Sequence, residues 1–196
     1  MSKKEFQERV RRVFNPLVNL LVRARVTPAV LTGVGFLLSI ASSVLILRGA
    51  NRAAGLVLLA GGICDALDGP VARATKSATK FGAFLDSTID RYSEVAVFIA
   101  LAWWFRAEPT LVGVCLAITG SLLVSYTRAR AEGLGEECRV GLLERPERLV
   151  LLVIGLLGGW KAAAVTIWII AVFSHFTAVQ RIIHVARRTR GAALPS

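Results

Sequence analysis

The aspartates of this chain are few and lie together in one short stretch. They stand at only four positions within 26 residues: Asp65, Asp68, Asp86 and Asp90. Spacings of three and four residues place each pair on one face of a helix. Both pairs adjoin apolar runs, so we expect them at the ends of two successive membrane helices, antiparallel neighbours joined by a short loop. All four carboxylates can then converge on one place.

Carboxylates that converge at membrane depth need a counter-charge. Inserting an ionisable group into a bilayer costs ~2.5–3.5 kcal/mol, so such groups are candidates for function. Four like charges in one low-dielectric site would force protons onto some of them. Divalent cations remove this conflict, and hard carboxylate oxygens suit Mg²⁺ or Mn²⁺. The pattern therefore predicts a metal site whose ligands are Asp65, Asp68, Asp86 and Asp90.

Glycine and arginine accompany the carboxylates. Gly69 directly follows Asp68, Arg73 lies one turn further, and Gly82 opens the next apolar run. Glycine lets a ligand approach the backbone closely, and the planar guanidinium of arginine suits phosphate. With divalent ions, this set suits a pyrophosphate substrate. The alternative is an ion network at the helix ends, which does not explain why aspartate occurs nowhere else; its basic members would be Arg73, Lys76, Lys80 and Arg91.

The composition is that of an integral membrane protein. The 196 residues are 55% hydrophobic and 19% charged, with a mean hydropathy of +0.61. Soluble domains are usually about 45–50% apolar and about 25% charged, and disordered chains have far less apolar surface to bury. The net charge of +11 alone would fit a nucleic-acid binder, but here basic residues punctuate long uncharged apolar runs. We therefore expect a membrane protein without a nucleic-acid partner.

The apolar runs predict an all-α fold with six transmembrane helices. A span needs roughly 20 mainly apolar residues. Thr27 and Pro28 suit the start of the first span as helix cap and first-turn proline. The predicted spans are residues 29–47, 53–72, 82–105, 111–127, 146–160 and 162–183.

The segment before the first span has a different character. In residues 1–26, apolar side chains at helical spacing alternate with basic ones, which predicts an amphipathic helix in the headgroup layer, kinked at Pro16. An ordinary solvated helix is the alternative. The chain thus divides into this helix, a six-helix domain over 27–186 and a basic tail over 187–196.

Lysine and arginine are unevenly distributed across the predicted membrane. Nineteen of the 24 lie on the side that carries both termini and the aspartates, and only four lie on the other side. Cytoplasmic loops carry the excess of these residues. We therefore expect both termini and the aspartate cluster in the cytoplasm, with the protein in the plasma membrane.

The complete aspartate segment resembles the signature of the CDP-alcohol phosphotransferases at every fixed residue and spacing. It reads Asp65-x2-Asp68-Gly69-x2-Ala72-Arg73-x8-Gly82-x3-Asp86-x3-Asp90. The resemblance implies transfer of a phosphatidyl-type group from a CDP-linked lipid to an alcohol, with release of CMP, by a homodimer.

The same resemblance implies roles for individual residues. The four aspartates would bind two divalent ions, and Asp90 would also act as the base on the acceptor hydroxyl. The CDP group would be held by Gly69, Arg73 and Thr79. The start of the first span would help, through Pro28, Ala29, Val30 and Leu31.

Two segments, residues 125–133 and 141–149, indicate which alcohol is the acceptor. They resemble prokaryotic phosphatidylinositol phosphate synthases and their archaeal ether-lipid relatives, in which a Glu-Arg-x-Glu-Arg stretch such as residues 144–148 is typical. That resemblance implies inositol phosphate as acceptor, bound by Arg128, Arg148 and Arg181, with Arg145 as a substitute for Arg148. The family usually has lysine at the first of these positions.

These three arginines, Arg128, Arg148 and Arg181, are expected to end three helices on the aspartate side. They also predict an anionic acceptor on chemical grounds, because guanidinium groups bind phosphate in bidentate fashion. A single arginine there is more commonly a headgroup anchor.

The nearest alternative reaction is phosphatidylglycerophosphate synthesis from glycerol 3-phosphate. A divalent-cation transporter is an alternative of another class, but the first and fourth spans lack interior charges. A lipid-binding structural protein would have no use for clustered acids.

Overall fold

The structure is a computed structural model that describes residues 15–190 of the chain. Residues 15–23 are helical, and the described part contains no β-strand. The predicted all-α fold is confirmed. The six helices that follow are α1 (Pro28–Leu47), α2 (Asn51–Ala74), α3 (Lys80–Trp104), α4 (Thr110–Gly133), α5 (Arg145–Gly158) and α6 (Trp160–Arg188).

Four helices of the described chain are long and apolar enough to cross a membrane, namely α1, α2, α4 and α6. Helix α3 has 25 residues but carries charged side chains over its first half, and α5 has only 14 residues. The membrane character is therefore supported, whereas the count of six spans stays a prediction. Most of the predicted headgroup helix, residues 1–14, lies outside the described residues, as do residues 191–196 of the tail.

The helices that carry the candidate site begin at defined caps. Thr27 caps α1, its Oγ1 accepting a hydrogen bond from a first-turn N–H at 3.4 Å, and Pro28 follows in the first turn, as predicted. Thr79 caps α3 in the same way at 2.9 Å. Helix α5 begins with a capping box in which Glu144 and Glu147 each bond the other's backbone N–H. Such caps satisfy N–H groups that would otherwise lack partners and set where each helix starts.

Helix α1 lies between the two aspartate-bearing helices. It packs against both α2 and α3, whereas α2 and α3 do not pack closely on each other, so the expectation of direct neighbours is wrong. The reason is the small polar character of the buried face of α1, which lets both helices approach it. That face consists of Leu31, Thr32, Gly35, Ser39, Ser42, Ser43 and Ile46.

A smaller apolar cluster of Val18, Leu31, Leu67 and Val71 lies at the aspartate end of the bundle, and the larger apolar core occupies the opposite end. There the end of α1, the start of α2 and the second half of α3 pack with α4, α5 and α6. Phe98 of α3 and Phe105, which directly follows α3, are completely buried. Because the larger core holds the helices together at the end away from the aspartates, the space between α2 and α3 at the aspartate end can hold polar side chains.

Candidate active site

Asp65 and Asp90 meet through the guanidinium group of Arg145. The Nη2 atom of Arg145 lies 2.7 Å from Oδ2 of Asp65 on α2 and 2.8 Å from Oδ1 of Asp90 on α3. The two carboxylates are mostly buried, with 12% and 14% of their side-chain surfaces exposed. A second arginine, Arg91, is 3.7 Å from the other oxygen of Asp90. The first turn of α5 therefore brings positive charge into the space between α2 and α3.

A glycine on α1 makes room for Asp65. A Cβ atom at Gly35 would collide with Oδ1 of Asp65 and would lie 3.3 Å from the carbonyl oxygen of Gly61. Real Cβ atoms do not approach an oxygen this closely, so any larger residue would displace the carboxylate. Gly35 thus sets the position of Asp65 without bearing a functional group.

Asp68 is held by a hydroxyl of α1. The Oγ1 atom of Thr32 donates to Oδ2 of Asp68 at 2.8 Å, and both residues are buried. Asp86 lies one turn before Asp90 on the same helix, α3. The structure therefore brings Asp65 and Asp90 together at Arg145 and places Asp68 beside α1.

The carboxylates supply the oxygen donors that a divalent metal ion needs. Within residues 15–190, no three His, Cys, Asp or Glu side chains adopt a metal-ligating arrangement. One cationic nitrogen of Arg145 nevertheless contacts both Asp65 and Asp90, and so stands in for an ion that these two carboxylates could share. Carboxylate oxygens are also the donors that Mg²⁺ and Mn²⁺ prefer. The donor set fits a divalent ion, and the assignment of metal ligands stays a prediction.

The residues expected to hold the CDP group lie around the ends of α1, α2 and α3. A Cβ at Gly69 would meet Nη1 of Arg73 at 3.4 Å, so this guanidinium lies over the glycine backbone. The Thr79 hydroxyl is engaged as the cap of α3. At the start of α1, Ala29 and Val30 are exposed, Pro28 is half-buried and Leu31 is buried.

Arg148 makes a buried ion pair with a residue that the sequence analysis did not assign. Its Nε and Nη2 atoms donate to the two oxygens of Glu94 on α3 at 2.6 and 2.9 Å. Only 1% of the Arg148 side chain and 10% of the Glu94 side chain are exposed. Together with the contact between Arg145 and Asp90, this pair gives α5 two charged links to α3.

Arg181 and Arg128 have contrasting surroundings. Arg181 is buried and donates to the carbonyl oxygens of Val140 and Val124 at 2.8 and 2.5 Å, and to Oε1 of Glu144 at 2.8 Å. It thereby fastens the segment before α5 to α4 and α6. Arg128 is partly exposed and pairs with Glu132, one turn further along α4, at 2.9 Å. The structure does not join these arginines directly to the aspartates.

The sequence of this chain is similar to known proteins over nearly its whole length. The sequence profile of the family described as CDP-alcohol phosphatidyltransferase matches residues 25–186. The chain belongs to this family. It is therefore a transferase, and the predicted family membership is confirmed.

Individual relatives of this transferase are similar along nearly their whole length. It is 38% identical over 192 residues to the archaetidylinositol phosphate synthase of Methanothermobacter thermautotrophicus, covering 95% of each chain. The crystal structure of phosphatidylinositol phosphate synthase from Mycobacterium tuberculosis with CDP-DAG bound matches with a TM-score of 0.80 and 36% identity, over 89% of this chain and 94% of the other. The same enzyme in complex with manganese and citrate matches with a TM-score of 0.77, over 87% of each chain.

Sequence reasoning missed three residues of this transferase's candidate site. Thr32 and Gly35 belong to a row of small residues on one face of α1, a pattern that was visible in the sequence and typical of close helix packing. Glu94 follows Asp90 by four residues, so it lies on the same face of α3. Its acidic side chain within an apolar run was the available signal.

Proposed function

We propose that this transferase moves a phosphatidyl group, or the corresponding ether-lipid group, from a CDP-linked lipid to a hydroxyl of inositol phosphate and releases CMP. The observation that carries the proposal is the similarity to relatives whose names share this acceptor. Those relatives include an archaetidylinositol phosphate synthase at 38% identity and a phosphatidylinositol phosphate synthase at 34% identity, each aligned over 95% of this chain.

The four carboxylates are proposed to hold two divalent ions, Mg²⁺ or Mn²⁺, through Asp65, Asp68, Asp86 and Asp90. When bound, such ions would stabilise the negative charge of a phosphate leaving group. The proposal is supported by the convergence of the carboxylates between α2 and α3 and by the manganese complex of the mycobacterial relative.

Asp90 is proposed as the general base. Its carboxylate takes the proton of the acceptor hydroxyl while the oxygen attacks the lipid-bearing phosphorus of the pyrophosphate. The bond from that phosphorus to the bridging oxygen breaks, and the electron pair leaves with CMP. Arg91 lies 3.7 Å from this carboxylate, which supports an orienting role for that arginine.

The CDP group is proposed to lie along the ends of α1, α2 and α3. Gly69 leaves its backbone open and Arg73 offers a guanidinium beside it, as a diphosphate requires. The other proposed contacts are Thr79 and the first turn of α1, Pro28, Ala29, Val30 and Leu31. The bound CDP-DAG in the mycobacterial relative supports a site for this type of lipid.

The acceptor phosphate is proposed to bind near Arg128, Arg148 and Arg181. Two of these guanidinium groups are buried, an arrangement that costs free energy unless the charges are paired. Glu94 and Glu144 supply those partners and hold the guanidinium groups in place. The positive charge of these arginines suits an anionic acceptor.

The membrane arrangement is also a proposal. The bundle is taken to cross the plasma membrane six times, with α3 and α5 among the spans, and with both termini and the site in the cytoplasm. The excess of lysine and arginine on the aspartate side supports this orientation. A homodimer is proposed on the family resemblance alone.

The test is CMP release by the purified full-length protein in lipid vesicles with Mg²⁺. CDP-diacylglycerol and its ether-lipid analogue serve as donors, each with inositol phosphate, glycerol 3-phosphate, inositol or serine. CMP formed only with inositol phosphate supports the proposal. CMP formed with glycerol 3-phosphate instead would indicate the phosphatidylglycerophosphate reaction. No CMP with any acceptor would refute the proposed reaction.

A further inference from the structure

Arg145 contacts two carboxylates through a single guanidinium nitrogen. One nitrogen, Nη2, serves both Asp65 and Asp90, at 2.7 and 2.8 Å. Arg148, one turn along the same helix, instead uses two nitrogens on the two oxygens of a single carboxylate, Glu94. The second arrangement is the stronger, bidentate form of an arginine–carboxylate pair. Arg145 therefore makes weaker contacts with its two carboxylates than Arg148 makes with Glu94.

The two arginines also differ in their exposure to solvent. Arg148 is 1% exposed, whereas a quarter of the Arg145 side chain is exposed. A small and mainly apolar cavity lies next to Arg145, and its lining includes Leu149 and Leu152. The guanidinium of Arg145 therefore has access to solvent, which that of Arg148 lacks.

We propose that Arg145 is a positioning residue that occupies the place between Asp65 and Asp90 until a divalent ion displaces it. The inference rests on the proposed function, because it takes these two carboxylates as metal ligands. The same oxygens cannot bind a metal ion closely while a cationic nitrogen lies against them, because like charges repel. In the absence of an ion, the guanidinium supplies the counter-charge that keeps the two carboxylates together.

A direct consequence is competition between the guanidinium and the ion. Removing the positive charge at this position frees the oxygens of Asp65 and Asp90, so the ion binds without first breaking two charge-assisted hydrogen bonds. Without Arg145 the carboxylates should therefore bind metal more tightly. An arginine with a purely structural role would give the opposite result, because its loss would disorder the ligands and weaken metal binding.

The test measures Mn²⁺ binding to the purified full-length protein by electron paramagnetic resonance of the free ion. Arg145→Gln is compared with Arg139→Gln, which removes the same charge from an exposed surface pair. The Kd of Arg145→Gln for Mn²⁺ should be at least about tenfold lower than that of the control. Arg145→Lys, which keeps a charge on a shorter side chain, should give an intermediate Kd.

An unchanged or higher Kd for both Arg145 variants, relative to Arg139→Gln, would overturn the inference. If Arg145→Gln does not fold, as judged by size-exclusion chromatography, the Lys variant alone decides, because it retains a cation. CMP release by the wild-type protein is measured in parallel. An active wild type with unchanged Mn²⁺ affinities would refute the inference while leaving the proposed function intact.

Discussion

Replacing Arg148 with alanine should destabilise the helix bundle and also weaken acceptor binding. Both oxygens of the Glu94 carboxylate accept hydrogen bonds from Arg148, and only 10% of the Glu94 side chain is exposed. The change therefore leaves a nearly buried carboxylate without its cationic partner. Breaking a buried ion pair by removing one partner costs about 3–5 kcal/mol. For a protein of this size, that corresponds to a decrease of about 6–20 °C in Tm. The control Arg139→Ala, in an exposed pair, should change stability by at most about 1 kcal/mol.

The assay is the loss of the monodisperse size-exclusion peak after heating in detergent. A second variant, Glu94→Leu with Arg148→Met, removes both charges and should recover most of the stability, because apolar replacement of a buried pair is often neutral or stabilising. That double variant should still have a raised KM for inositol phosphate, because the guanidinium is absent. A Tm for Arg148→Ala within about 2 °C of the control would refute the energetic argument. A normal KM in the double variant would refute the acceptor role.

Two further predictions concern the carboxylates. Gly35→Ala should reduce CMP formation at least about tenfold, because its Cβ would displace the carboxylate of Asp65; Gly33→Ala, where a Cβ meets nothing within 4 Å, is the matched control and should keep its rate. Equal rates for the two variants would contradict the positioning of Asp65. Removal of divalent ions with EDTA should stop turnover, and Mg²⁺ or Mn²⁺ should restore it; activity that persists in EDTA would argue against metal dependence.

Local signals predicted much of this fold correctly. The Thr27–Pro28 pair marks the first residues of α1 because capping is decided by a few neighbouring residues. The start of α5 is similarly close to its predicted place, since Glu144 and Glu147 form a capping box around it. The spacing of the aspartates follows helical geometry, but the expectation that α2 and α3 pack directly on each other was wrong.

Contacts between distant parts of the chain were not predictable in the same way. The link between Arg145 and Asp65 joins residues 80 positions apart, and the sequence spacing contains no information on that pairing. The placement of α1 between α2 and α3 depends on how three helices share one face, which a single apolar pattern does not specify. Arg148 was correctly singled out as a charged residue, but its burial against Glu94 emerged only from the packing of α5 on the bundle.

The central claim is that carboxylates between α2 and α3 catalyse the release of CMP from a CDP-linked lipid. Its most direct test is the initial rate of CMP release by Asp90→Asn, with CDP-diacylglycerol, Mg²⁺ and inositol phosphate, beside a binding measurement for the CDP-lipid. We predict a loss of at least about a hundredfold in rate with CDP-lipid binding largely retained. A rate close to that of the wild type would contradict the role of Asp90 as base.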